Sequence, residues 1–295
     1  MDSPPASSEN YVLAAENLTY TGRVPDPWTD LLACLDVSSS MAHGDDAGKF
    51  ECRNQQLEYH RVFGGQLLGQ FLRIASLTCP DKAVKSQHSV FTREGRADEP
   101  IRYAATLAHE GRSFAAVTIT AAQSRGIIAT SSISMHAAED GPEHQETQDV
   151  GAVLGAEHEV ALDLIPWETR AAVDLNVTTT GPPQFEFWMR TPTVDPELAQ
   201  ALTAYATDLT LIGTALRPID GAGQRGNGTT FTSAVTSHTL WFHRPFRTDG
   251  WLLLRQHSPL LAHGRCFGRG DVLTEDGLLV ASYGQEALLR FAEAI

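Results

Sequence analysis

The sequence predicts an α+β chain in which a buried helix followed by antiparallel strands occurs twice, and three observations carry that expectation. Leu67, Leu68, Phe71, Leu72, Ile74 and Ala75 nearly fill the surface of one helical segment, which Gly64-Gly65 opens; a helix apolar on most of its sides belongs in a core. Along residues 196–213, Leu198, Ala201, Leu202, Tyr205, Leu209 and Ile212 recur at three- and four-residue steps, and Asp195 with Pro196 supplies a cap and a first-turn proline. After each helix come runs rich in β-branched and aromatic residues, separated by turn residues.

With 295 residues, 42% of them hydrophobic, the chain has ample core and exceeds the usual single-domain length. The expected divisions are an N-terminal arm over 1–27, a first half over 28–137, a linker over 138–183 and a second half over 184–295. Prolines at 4, 5, 25 and 27 make a stable helix in the arm improbable. Residues 30–35 read as a short amphipathic helix and 50–53 as a first strand. Strands are expected at 88–95, 101–107, 117–123 and 127–135, the last two joined through Ser124-Arg125-Gly126. The linker is rich in Gly, Pro, Glu and His and reads as a surface crossing with short ordered pieces. In the second half, strands are expected at 184–190, 233–246, 250–257, 264–274 and 278–291. Pro245 limits the second of these, and Asp276-Gly277 marks a hairpin turn before the last.

A net charge of -14 argues against a nucleic-acid partner, because phosphate backbones need clustered cations. A few local arginines still suffice for a phosphorylated small molecule. Cys34, Cys52, Cys79 and Cys266 form no CxxC pair, so free, partly buried thiols are expected rather than a zinc or redox site. His136, His144 and His158 fit no compact ligand spacing and read as solvated linker residues. The N-terminus has no basic and apolar leader, no apolar run reaches membrane-spanning length, and the chain does not end in a Ser-Lys-Leu address; the cytosol is the expected compartment, with no membrane partner.

Two features carry chemistry on their own spacing. The N–H groups at the Gly64-Gly65 helix start can hold an oxyanion or a polarised carbonyl, or the glycines can merely admit a close neighbour. Asp208 falls near the buried side of the second helix, where an unpaired carboxylate is costly unless it is hydrogen-bonded or given work such as deprotonating water; the alternative is a surface aspartate at the stripe's edge. A Gly-x-Ser-x-Gly nucleophile elbow is absent.

Several motifs, in order, resemble those of the type II acyl-CoA thioesterases, the bacterial thioesterase II and peroxisomal thioesterase family. Val62-Phe63-Gly64-Gly65-Gln66-Leu67-Leu68-Gly69-Gln70 is similar to Val-Phe-Gly-Gly-Gln-x-x-Gly-Gln. His88-Ser89-Val90-Phe91, Glu110-Gly111-Arg112-Ser113-Phe114 and Trp241-Phe242-His243-Arg244-Pro245-Phe246 follow the family's His-Ser-x-Phe, Asp/Glu-Gly-Arg-Ser-Phe and Trp-Phe-His-Arg-Pro-Phe. The resemblance spans roughly residues 28–291. It implies a double hotdog, two antiparallel sheets each wrapped around a central helix and fused in one chain, that hydrolyses acyl thioesters to free acid and thiol. The substrate implied is an acyl-CoA or acyl-carrier thioester, with no metal or redox cofactor. Exposed sheet edges make a homo-oligomer the expectation.

Residue by residue, Tyr205-Ala206-Thr207-Asp208 is similar to Ala-Tyr-x-Ser-Asp, and residues 285–290 to Gln-Glu-Gly-x-x-Arg. This implies that Asp208 and Gln285 belong to a water-activating trio, and that Gly64, Gly65 and Gln66 border the substrate. A neutral amide suits that task because it donates and accepts. The third member departs from the pattern. The family has Thr or Ser three residues before the histidine matching His238, and here that residue is Val235; the family's Asp before the histidine is Ser237. Either Thr236 or Ser237 supplies the hydroxyl, or it is missing. Strand alternation sets Ser237 on the face of Val235 and Thr236 on the other, unless a bulge intervenes. Trp241, Phe242 and Phe246 read as core and rim, and His243 and Arg244 as structural. The departures leave two alternatives open: a hotdog enzyme recruited to a specialised acyl or polyketide pathway, and a non-catalytic acyl-binding protein.

Overall fold

The computed structural model describes residues 26–37, 48–57, 59 and 61–292. The arm expected over 1–27 lies outside the described residues except for its last two. Pro27–Leu35 forms α1, capped by the Asp26 carboxylate on the Thr29 N–H. There follow β1 (Lys49–Cys52), α2 (Gly64–Thr78), β2 (Ala83–Phe91), β3 (Ile101–Glu110), β4 (Phe114–Gln123) and β5 (Gly126–His136). The second half holds β6 (Glu168–Arg170), β7 (Gln184–Arg190), α3 (Ala199–Thr207), α4 (Leu211–Leu216), β8 (Phe231–Phe242), β9 (Leu252–Ala262), β10 (Arg265–Thr274) and β11 (Leu279–Phe291). Gly126 and Gly277 stand at positive φ in the β4–β5 and β10–β11 turns, where a side chain would be strained. All four cysteines are buried and free. Among the described residues no helix is long and apolar enough to cross a membrane.

The sheet differs from the expectation of two separate sheets. The strands form a single eleven-stranded sheet in the order β1-β3-β4-β5-β2-β8-β11-β10-β9-β7-β6, with every neighbouring pair antiparallel. The halves join at β2 and β8, where Ser86 through Val90 lie opposite Trp241 through Ser237. Two open edges, each with unpaired N–H and C=O groups, satisfy one another there. β6 falls within the expected linker and pairs with β7. The preceding stretch is tied to the second half by hydrogen bonds from Arg255 to the carbonyls of Gln148 and Asp149 and from Gln145 to that of Gly277.

The helix expected over 196–213 is also interrupted. A 3-10 turn, Pro196–Leu198, leads into α3, which stops at Thr207, and α4 restarts at Leu211. The Thr207 hydroxyl donates back to the Ala204 carbonyl, a local bond that competes with helix continuation. Gln256 of β9 donates to the Thr210 hydroxyl at 2.6 Å and accepts from the Thr214 hydroxyl, anchoring the second piece on the sheet. Asp208 therefore stands at the end of a helix, not within one. α2 and α3 pack against each other closely enough that a Cβ on Gly65 would lie 2.5 Å from the Tyr205 carbonyl oxygen. One on Gly69 would lie 3.3 Å from that of Ala201. These glycines admit a neighbouring helix.

Candidate active site

The inward faces of β8 and β11 are set by strand alternation. His238, Leu240 and Phe242 of β8 are buried on the helix side, as are Tyr283, Gln285, Ala287 and Leu289 of β11. Gln285 and His238 are direct cross-strand partners, so both side chains rise toward the break after α3. There they meet Asp208. Gln285 Nε2 lies 3.4 Å from Asp208 Oδ1 and 3.3 Å from its carbonyl oxygen, and His238 Nδ1 lies 3.9 Å from Oδ1. The relative exposures are 5% for Asp208, 2% for Gln285 and 0% for His238.

Gly64 and Gly65 complete the arrangement from the start of α2. A Cβ on Gly64 would stand 2.6 Å from Asp208 Oδ2, so a side chain here would have to displace the carboxyl or the helix start. The Gly65 N–H donates to the carboxylate; as a first-turn N–H it has no partner within its own helix. Burial pushes the Asp208 carboxyl up to about 7 from its ordinary 3.8, and the Gly65 bond opposes that rise. Burial drives the His238 imidazole down to about 3. Near neutral pH the 3.9 Å approach is thus a contact of an uncharged ring with a carboxyl poised to titrate, not an ion pair. Burial also raises the Tyr59 phenol, and the Asp208 charge adds to it, which puts Tyr59 in the same neighbourhood.

The imidazole meets Thr207 through Nε2. Thr207 Oγ1 donates to the Ala204 carbonyl at 2.9 Å, so toward His238 Nε2, 3.0 Å away, it accepts. Nε2 then carries the proton and Nδ1 a lone pair. The ring lies parallel to that of Tyr283, with centroids 6.0 Å apart.

Of the residues expected from the sequence, Asp208, Gln285, Gly64 and Gly65 come together. Gln66 is committed elsewhere: its Oε1 accepts from the Gln55 N–H at 3.0 Å, and its Nε2 donates to Asn54 Oδ1 at 2.9 Å. Gln55 Oε1 in turn accepts from the Tyr205 hydroxyl, so this amide network seats the loop before α2 on α3. Neither expected hydroxyl is turned toward Asp208. Thr236 is the extra residue of a β-bulge, since Val235 pairs with Ala287 and Ser237 with Glu286, and its hydroxyl donates to the Glu286 carbonyl at 3.0 Å. Ser237 lies on the face away from the helices, lining a cavity of about 1040 Å³ with Thr239, Trp241, Phe267 and Arg269. Asp208 and His238 do not line that cavity.

His238 is the site residue that sequence reasoning missed. The signal was present in register: once Gln285 is placed inward on β11, the inward residue opposite it on β8 follows.

Known thioesterases resemble the chain along most of its length. Residues 56–136 match the family model described as the acyl-CoA thioesterase N-terminal domain, and residues 136–289 the one described as the C-terminal domain. The chain is 32% identical over 270 residues to acyl-CoA thioesterase 2 of Haemophilus influenzae, spanning 83% of this chain and 93% of that protein. It is 27% identical over 297 residues to human acyl-coenzyme A thioesterase 8, spanning 90% and 92%. The solved structure of acyl-CoA thioesterase II TesB2 from Mycobacterium marinum matches with a TM-score of 0.71 at 28% identity, over 90% of this chain and 98% of that one. A hot dog fold protein from Alicyclobacillus acidocaldarius, 16% identical with a TM-score of 0.69 over 88% and 98% of the two chains, shares the fold. With the two domain models matched in succession over residues 56–289 and a relative at 32% identity covered over most of its length, the chain belongs to the type II acyl-CoA thioesterase family.

Proposed function

We propose that this chain hydrolyses acyl-CoA thioesters to the free acid and coenzyme A, with Asp208 as the base that deprotonates water. The observation that carries the reading is the convergence of a buried carboxyl, held to about 7, with the Gln285 amide and the start of α2. A base is most effective when its pKa lies near the working pH. The water oxygen attacks the thioester carbonyl carbon as its proton passes to Asp208. The tetrahedral intermediate collapses with loss of the C–S bond, and Asp208 returns the proton to the departing thiolate. Gln285 holds the carboxyl in place through its Nε2. Of the first-turn N–H groups of α2, that of Gly65 is engaged by Asp208 and those of Gln66 and Leu67 by the Phe63 carbonyl, so the Gly64 N–H is the donor this reading assigns to the oxyanion; preorganised donors of this kind contribute most in a dry site. The names of the relatives support the acyl-CoA substrate.

The test is release of free thiol from acyl-CoAs of several chain lengths by the purified protein. The reading expects turnover with at least one chain length and its loss in Asp208→Asn. Saturable acyl-CoA binding without turnover would indicate an acyl-binding protein. A transformed but unhydrolysed product would indicate an enzyme recruited to another reaction, an alternative to which the placement of the Thr236 and Ser237 hydroxyls away from Asp208 lends weight.

A further inference from the structure

We propose that His238 is a catalytic residue whose unprotonated Nδ1 accepts one O–H of the reacting water, doing in this chain what a strand hydroxyl would otherwise do. The inference rests on the hydrolytic reading above and goes beyond it in assigning the third group of the site.

Three acceptors converge at the break after α3: the Asp208 carboxylate, Gln285 Oε1 and His238 Nδ1. Among the described residues, Gln285 Oε1 and His238 Nδ1 are buried with no hydrogen-bond partner. Buried polar atoms left unpaired cost free energy, and where they persist they commonly mark a function. With the Thr207 hydroxyl hydrogen on the Ala204 carbonyl, the ring proton sits on Nε2 and Nδ1 presents a lone pair. His238 and Gln285 face each other across β8 and β11, so their free acceptors belong to one small volume beside Asp208 Oδ1. A thioester carbonyl or sulfur brings no proton and cannot satisfy such a set; water brings two. One O–H goes to Asp208, which takes the proton. The other is held by Nδ1, with Gln285 Oε1 beside it, so the oxygen lone pair is aimed rather than free to rotate. The two candidate hydroxyls are engaged elsewhere, Thr236 with the Glu286 carbonyl and Ser237 on the opposite face of the sheet.

The experiment compares His238→Gln with His238→Asn in thiol-release kinetics. Glutamine carries its amide at the level of Nε2 and keeps the Thr207 bond while removing the acceptor at Nδ1. Asparagine carries its amide at the level of Nδ1 and keeps that acceptor. The proposal expects kcat to fall by about 100-fold or more in the Gln variant with KM changed little, and by less than about tenfold in the Asn variant. A structural role for the ring expects the reverse order, and a Gln variant as active as the Asn variant overturns the proposal. Should the Gln variant not fold, the imidazole ¹⁵N spectrum of the wild type decides. An unprotonated Nδ1 whose resonance moves in Asp208→Asn supports the assignment, and a protonated Nδ1 overturns it. The two readings fail separately. No turnover by the wild type with any acyl-CoA defeats the hydrolytic reading and this inference with it, whereas turnover abolished in Asp208→Asn but intact in His238→Gln defeats only the role of His238.

Discussion

Replacing Asp208 by asparagine exposes the energetics of the site most fully. A carboxyl moved by burial from 3.8 to about 7 carries, once ionised, a penalty of roughly 4 kcal/mol relative to the unfolded chain, at about 1.4 kcal/mol per tenfold change in its ionisation constant. Between those two values the folded state binds the proton more tightly than the unfolded state does. Stability therefore falls as pH rises from about 4 to about 7 and is level above. His238 has the opposite slope: its imidazole, held down to about 3, resists protonation in the folded state, so stability falls as pH drops below about 6.5. In the wild type the two slopes oppose each other between about 4 and 6.5. Asp208→Asn keeps an acceptor for the Gly65 N–H and adds an NH₂ that can donate to His238 Nδ1 and Gln285 Oε1, the two unpaired acceptors. The variant is expected to be more stable than the wild type at pH 8 by up to about 4 kcal/mol, by less at pH 5, and to show the His238 slope alone. Urea denaturation at pH 5 and pH 8, with hydrolysis assayed in parallel, measures this. A variant less stable than the wild type at pH 8, or a stability difference that does not change with pH, would refute the reasoning.

Other substitutions probe the neighbours. In Gly64→Ala the new Cβ must displace the Asp208 carboxyl or the start of α2, and a loss of at least about tenfold in kcat with about 1–3 kcal/mol of stability is expected from thermal denaturation and kinetics. Gln285→Leu removes the amide donor from Asp208; kcat should drop by about 100-fold, and the rising limb of its pH profile should move to higher pH because the ionised carboxylate has lost a stabilising bond. Ser237→Ala, on the far face of the sheet, should leave kcat within about twofold, and a tenfold loss would place that hydroxyl in the reaction after all.

Much of this was legible because a local pattern wrote it. The apolar residues between Leu67 and Ala75 nearly fill the helix surface, so a buried α2 follows from the sequence. β7 coincides with the alternating run at 184–190, and the Asp276-Gly277 turn falls where its dipeptide predicts. What was not legible depends on partners distant in the chain. The break at Asp208 is accompanied by the Thr207 hydroxyl bonding the Ala204 carbonyl and by the Thr210 hydroxyl accepting from the Gln256 amide of β9, a partner distant in the chain. Three-residue β6 is too short to show a period, and the joining of the halves through β2 and β8 is an edge-to-edge choice that neither strand encodes alone. Asp208 and Gln285 could be singled out from the sequence, by resemblance more than by spacing. Thr236 and Ser237 could not be separated, since one inserted residue reverses which side faces inward, and the bulge at Thr236 is visible only in the pairing with Glu286 and Ala287.

The central claim is that a buried carboxyl at the end of α3 is the base of a thioester hydrolysis. The pH dependence of kcat/KM for acyl-CoA hydrolysis between pH 5 and 9, in the wild type and in Asp208→Asn, tests it most directly. A single ascending limb with its midpoint close to 7, absent from a variant with almost no activity, is the result expected from Asp208. A flat wild-type profile across that range, or a variant that retains the wild-type rate, would contradict it.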